Sequence, residues 1–174
     1  MKINLFAVLS AMLFVTSCKK DDAVTPAPST VVSFTKTTVT GSQFAPLFEH
    51  QSVVFNSKLW VIGGRKTNTV YSNEIWSGTD GSSWSQTSTV GPVFSTRSGH
   101  QVVVFNNKLW VIGGLDNGSA LNDIWNSTDG TTWTQGTANA AYGIRSLHEV
   151  IVFNNKMRLI GGDGNGGTKN DIWS

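Results

Sequence analysis

His100-Gln101-Val102-Val103-Val104-Phe105-Asn106-Asn107-Lys108-Leu109-Trp110-Val111-Ile112-Gly113-Gly114 decides the fold, because the chain contains this string three times. It stands at His50 to Gly64 with changes only at Ser52 and Ser57, and more loosely at His148 to Gly162. The copies are offset by 50 and then 48 residues. After each Gly pair comes a loop and then Asn73-Glu74-Ile75-Trp76, Asn122-Asp123-Ile124-Trp125 or Asn170-Asp171-Ile172-Trp173. Two units continue to Asp80-Gly81-Ser82-Ser83-Trp84 and Asp129-Gly130-Thr131-Thr132-Trp133.

Each unit reads as four strands. Val53 to Phe55 and Leu59 to Ile62 are apolar, β-branched runs joined at Asn56-Ser57-Lys58, where Asn tolerates the left-handed backbone of a tight hairpin. Ile75 to Ser77 and Trp84 to Ser88 form a second pair around Asp80-Gly81, a strong hairpin signal. Runs without polar alternation belong to strands covered on both faces. A four-stranded sheet covered on both faces and repeated every ~50 residues is a propeller blade.

Composition agrees with an all-β chain. The 174 residues carry 7 Trp, 9 Phe and 18 Gly, with only 14% charged residues and a net charge of +2. The aromatic load implies a packed core rather than disorder. No basic stripe of the kind that tracks a phosphate backbone exists, which argues against nucleic acid as a partner. A single Cys rules out a disulfide framework within the chain.

The Gly-Gly closing the second strand, Trp76, Trp125 and Trp173 after it, Trp84 and Trp133 later, and Arg97-x-x-His100 and Arg145-x-x-His148 before the first strand together resemble kelch repeats of the galactose-oxidase/kelch type. The resemblance covers everything after residue 30 and implies an all-β propeller of four-stranded antiparallel blades. Shifting the second unit back by 50 puts Trp84 on Phe34, Gly91 on Gly41 and Phe94 on Phe44. The expected division is therefore 31–42 as a fourth strand that closes another blade, 43–91 and 92–140 as blades, and 141–174 as an incomplete blade. Three blades are fewer than the 4 to 8 of a usual ring. Either this is part of a longer propeller, or two copies close a six-blade ring as a homodimer.

The amino-terminal segment reads as an address. Lys2 precedes a mostly apolar run, Ile3 to Val15, too short to span a bilayer but suited to an export signal. Val15-Thr16-Ser17-Cys18 resembles a bacterial lipoprotein box, and Lys19-Lys20-Asp21-Asp22 resembles the charged tag of Bacteroidetes-type surface lipoproteins. These imply a signal peptide over 1–17, lipidation at Cys18, a tether over 18–30, and an outer-membrane location facing the cell surface or periplasm.

Antiparallel order puts the two–three loops and the four–one connections on one rim, where the repeats diverge, and variable loops are where function usually sits on a repeat scaffold. Candidate ligand-binding residues there are Arg65, Tyr71, Phe94, Arg97, Asp116, Tyr142, Arg145 and Asp163. Arg97 and Arg145 recur in a slot that holds Leu47 in the first unit; they either lock a blade through an ion pair or present guanidiniums to an anionic sugar. Phe94, Tyr71 and Tyr142 either stack on a sugar face or pack inward. Arg158 breaks the repeat in the slot of Trp60 and Trp110. The three His occupy one repeat slot without metal-ligand spacing, and the Gly-rich Asp163 to Gly167 lacks the Glu of a calcium loop. No metal, cofactor or catalytic set is expected. The functional expectation is a non-catalytic binding module for a protein or glycan; the alternatives are an enzyme acting on anionic sugars, of the sialic-acid isomerase or sialidase kind, and an inactive fragment of a longer propeller.

Overall fold

The computed structural model describes residues 33–174, whose compact unit is Lys36–Ser174. The export signal, Cys18 and the tether lie outside the described residues. Twelve strands form three antiparallel sheets. β1 (Gln51–Phe55), β2 (Lys58–Arg65), β3 (Tyr71–Gly78) and β4 (Ser85–Gln86) make the first. β5 (Gln101–Phe105), β6 (Lys108–Asp116), β7 (Ser119–Ser127) and β8 (Thr134–Thr137) make the second. β9 (Arg145–Ser146), β10 (Glu149–Phe153), β11 (Lys156–Gly164) and β12 (Gly167–Trp173) make the third. The expected all-β blades are present in sequence order.

Local chemistry explains each hairpin. Phe55 pairs with Lys58 and Phe105 with Lys108, leaving two-residue turns. Asn56-Ser57 and Asn106-Asn107 hold φ near 48–57° at both positions, the mirror-image turn that matches strand twist. Asp80 and Asp129 organise the later hairpins, their Oδ1 atoms accepting Ser82 N–H at 2.8 Å and Thr131 N–H at 2.7 Å. Trp84 and Trp133 donate their indole N–H to Gly81 and Gly130 carbonyls at 3.1 and 3.2 Å. The Asp-Gly-x-x-Trp segment is thus a self-closing turn.

Two strand boundaries differ from expectation. The Gly pair does not end the second strand: β2, β6 and β11 run through it, with the register shifting between Ile62 and Gly64 and between Ile112 and Gly114. Both glycines have positive φ (63° and 103° in the first unit), a bulge geometry open to residues without a side chain. The fourth strands are short, with β4 only two residues long, because they are outer edges with one neighbour. Of the segment 31–42, expected as a fourth strand, residues 36–40 have no strand partner among the described residues. The Thr40 N–H nevertheless donates to Ser82 O at 2.9 Å, the bond that Val90 N–H makes to Thr131 O at 3.0 Å one repeat later.

The blades pack face to face. The first offers Phe55, Trp60, Ile62 and Ile75 to Phe94, Val102, Leu109, Val111, Trp125 and Trp133 of the second. One repeat on, Trp110, Ile112 and Ile124 meet Tyr142, Val150, Met157 and Leu159. The Gly-Gly and His signatures belong to this joint. A Cβ on Gly63 would lie 2.6 Å from the His100 ring, and one on Gly64 2.8 Å from His50 Cβ. In the first two pairs the first Gly admits the next blade's imidazole, and in all three the second Gly leaves room for the Cβ of its own blade's His.

Candidate binding face

The Arg-x-x-His arginines are framework. Arg97 is completely buried and forks onto Asp123, with Nη1 and Nη2 each 2.8 Å from a carboxylate oxygen; Nη1 also donates to Gly113 O at 2.9 Å. Asp123 accepts the Trp125 indole N–H at 2.8 Å. Burial alone would raise the Asp123 pKa, but the charged hydrogen bonds from Arg97 outweigh it and hold the carboxylate below its ordinary range. Arg145 repeats the device with Asp171 at 2.6 and 3.0 Å, Gly161 O and Tyr142 O, and Asp171 takes the Trp173 indole at 2.8 Å. The ion-pair reading therefore replaces the ligand reading for Arg97 and Arg145. Packing of any further blade would only deepen their burial.

Phe94 and Tyr142 are corrected in the same way. Phe94 is fully buried, edge-on to Trp133 at 5.0 Å. Tyr142 takes the identical place one repeat later, half-buried against the third blade's core. Phe94, enclosed in the inter-blade core, presents no free face for a sugar, whereas Tyr142 packs inward on one side and lines an apolar cavity of about 250 Å³ with Ile112, Val150 and Trp173 on the other.

Arg65, Tyr71, Asp116 and Asp163 do reach the rim. Tyr71 and Asp116 line one shallow cleft of about 380 Å³ with Thr69, Val70, Thr96 and Asn117. The Arg65 guanidinium lies 4.9 Å from the Phe48 ring centre and 5.4 Å from that of Tyr71, within cation–π range. Thr96 Oγ1 donates to Asp116 Oδ1 at 2.7 Å. Asp163 is exposed in a separate crevice with Ser119, Ser146 and Asn165. The rim residues thus form two neighbouring polar crevices between blades rather than one site.

Glu49 and Phe48 are functional candidates that sequence reading misses. Glu49 pairs with Arg65 and accepts Ser98 Oγ at 2.8 Å. Burial opposes its charge, yet the bonds from Arg65 and Ser98 prevail and lower its pKa. The available signal is positional. Glu49 fills the slot of Gly99, keeps its left-handed backbone (φ 54°), and sits in the one unit whose arginine slot holds Leu47. With that arginine gone, Glu74 binds Lys66 at 2.5 Å and still accepts Trp76 at 3.1 Å. The first blade has moved one guanidinium–carboxylate pair from its interior to the rim. Among the described residues no group of three His, Cys, Asp or Glu side chains gathers as a metal site.

A family profile, the KLHDC2/KLHL20/DRC7 Kelch-repeats domain, matches residues 29–174. The chain belongs to this kelch-repeat family, whose members are generally protein-interaction modules. No individual curated protein matches it.

Proposed function

We propose that this chain is a non-catalytic interaction module, tethered to the outer membrane through Cys18, whose loop rim around Arg65, Tyr71 and Asp116 holds a protein ligand. The observation that carries the reading is the split between framework and rim. The Gly-Gly bulges and the histidines recur in all three units and the Arg–Asp–Trp set in the second and third, while Arg65, Leu115 and Asp163 share one slot and differ in every unit. Residues that build blades repeat; residues that meet a ligand have no reason to. A half-exposed Tyr71 beside a polar cleft also suits a glycan, which is the second reading. The anionic-sugar enzyme loses its support, because the two arginines it needs are consumed by Asp123 and Asp171.

The test combines interaction screening with substitution. Ligands are sought by cross-linking in cell extracts and on a glycan array, then measured against Tyr71→Ala, Asp116→Ala and, on the opposite rim, Lys156→Ala. A central interface anchor contributes about 1–2 kcal/mol or more, so the first two are expected to weaken binding at least tenfold with unchanged melting, and Lys156→Ala to leave it intact. A ligand insensitive to both rim substitutions contradicts the reading. Loss of labelled fatty acid in Cys18→Ser checks the tether, and labelling that survives refutes it.

A further inference from the structure

The cleft between the first two blades has walls fixed by their own backbones. Thr69, Val70 and Tyr71 line it from the first blade, and Thr96, Asp116 and Asn117 from the second. In the first wall Lys66 N–H donates to Val70 O at 2.9 Å and Val70 N–H to Thr67 Oγ1 at 3.1 Å. In the second, Asp116 pairs with Ser119 and leaves the two-residue turn Asn117-Gly118, with φ 47° and 86°, the mirror-image form that suits strand twist. A backbone bond ties the walls together, because Arg97 N–H, beside Thr96, donates at 3.0 Å to Ser72 O, beside Tyr71. All of these residues belong to the one joint between the first and second blades.

The charges around this cleft do not cancel. Among the described residues Arg65 is paired with Glu49, Lys66 with Glu74 and Arg97 with Asp123, but Asp116 has no cationic partner. Thr96 Oγ1 donates to Asp116 Oδ1 and so orients the carboxylate, while Oδ2 has no hydrogen-bond partner among the described residues. The side chain is half-buried, where a charge is screened less than in open water. On the facing wall Val70, 46% exposed, and the half-buried Tyr71 ring supply apolar surface. The Arg65 guanidinium, itself held by Glu49, lies beside that ring and steadies it.

Taking this rim as the protein-binding face proposed above, we infer that the cleft receives one lysine or arginine side chain of the protein ligand. The cationic end meets Asp116 Oδ2, and the methylene stem lies along Val70 and Tyr71. Long cationic side chains lay their stems on apolar surface and keep the head for a polar partner, and a carboxylate gives that head a charge-assisted bond. A volume of about 380 Å³ is small for a ligand pocket and suits a single inserted side chain. An anionic side chain would meet Asp116 with no unpaired cation to offset it. Overall charge gives a basic ligand no help, since the chain carries +2; the attraction is local to Asp116.

The full chain in detergent is screened against a library of short randomised peptides blocked at both ends. Selected peptides are expected to share one fixed Lys or Arg position, whose replacement by norleucine weakens binding at least about tenfold. Asp116→Asn keeps an acceptor for Thr96, and is expected to give the same loss with unchanged melting and no further loss for the norleucine peptide. Asp116→Lys is expected to select Asp or Glu at that position instead. Peptides that weaken in Tyr71→Ala but hold no fixed basic position, or that ignore Asp116→Asn, overturn the inference while leaving the rim a binding face. Peptides indifferent to both Tyr71→Ala and Asp116→Asn overturn the rim reading with it. Failure to select any peptide also overturns the inference.

Discussion

Arg97→Ala lowers the unfolding free energy by about 3–5 kcal/mol, the cost of leaving a buried charge without its partner. Asp123 loses both guanidinium bonds and Gly113 O loses a donor, while the cavity left beside Ser95 sits inside the blade. Little compensation is available, because the Asp123 side chain is only 15% exposed. Arg145→Ala removes the same bonds, but Asp171 is 39% exposed and water replaces part of them. Its penalty is correspondingly smaller. Denaturant unfolding of the two variants checks both size and order. Equal, sub-kcal/mol losses would mean that the arginines are surface groups after all.

Gly130→Ala comes second, at about 2–5 kcal/mol. The position has φ +79°, where a Cβ costs about 1–2 kcal/mol, and that Cβ would stand 2.3 Å from the Trp60 ring. Overpacking adds about 1–3 kcal/mol. Gly118→Ala separates the two contributions, since Gly118 has φ +86° and nothing within 4 Å of the added carbon. The difference between the variants measures the contact between first and second blades. If both cost the same in thermal or denaturant unfolding, Trp60 does not lie against that turn.

Much of this architecture is legible in the repeats. The Val-rich pairs, the Asn turns and the Asp-Gly hairpins are local devices whose residues specify their own geometry, so strand order follows from reading along the chain. The rim is harder. Arg97 and Arg145 stand at the ends of long connections, and position alone puts them on the loop surface. Only the fold shows each guanidinium turning back into its own blade. The signal was their fixed spacing of 26 residues to Asp123 and Asp171. Phe94 and Tyr142 likewise share one slot 48 residues apart, as core residues do. The role of Gly63 and Gly113 escapes sequence reading because the imidazole each makes room for belongs to the next blade and is distant along the chain.

That imidazole offers the most direct test that the repeats stack as blades. His100 is fully buried between Gly63 and Gly114, with only weak support from the Ile62 backbone. Desolvation first, and then the Arg97 charge, lower its pKa to about 3; desolvation and Arg145 lower that of His148 to about 4. An unfolded chain binds these protons below about pH 6.5. Stability is therefore fully present above that pH and declines as pH falls towards 4, by up to about 1.4 kcal/mol per pH unit for each histidine. Imidazole ¹⁵N chemical shifts of the folded chain, followed from pH 8 to about 5.5, are predicted to keep His100 and His148 neutral while the fold persists. Titration of either ring near pH 6.5 in the folded protein would place it in water and contradict the stacked-blade account.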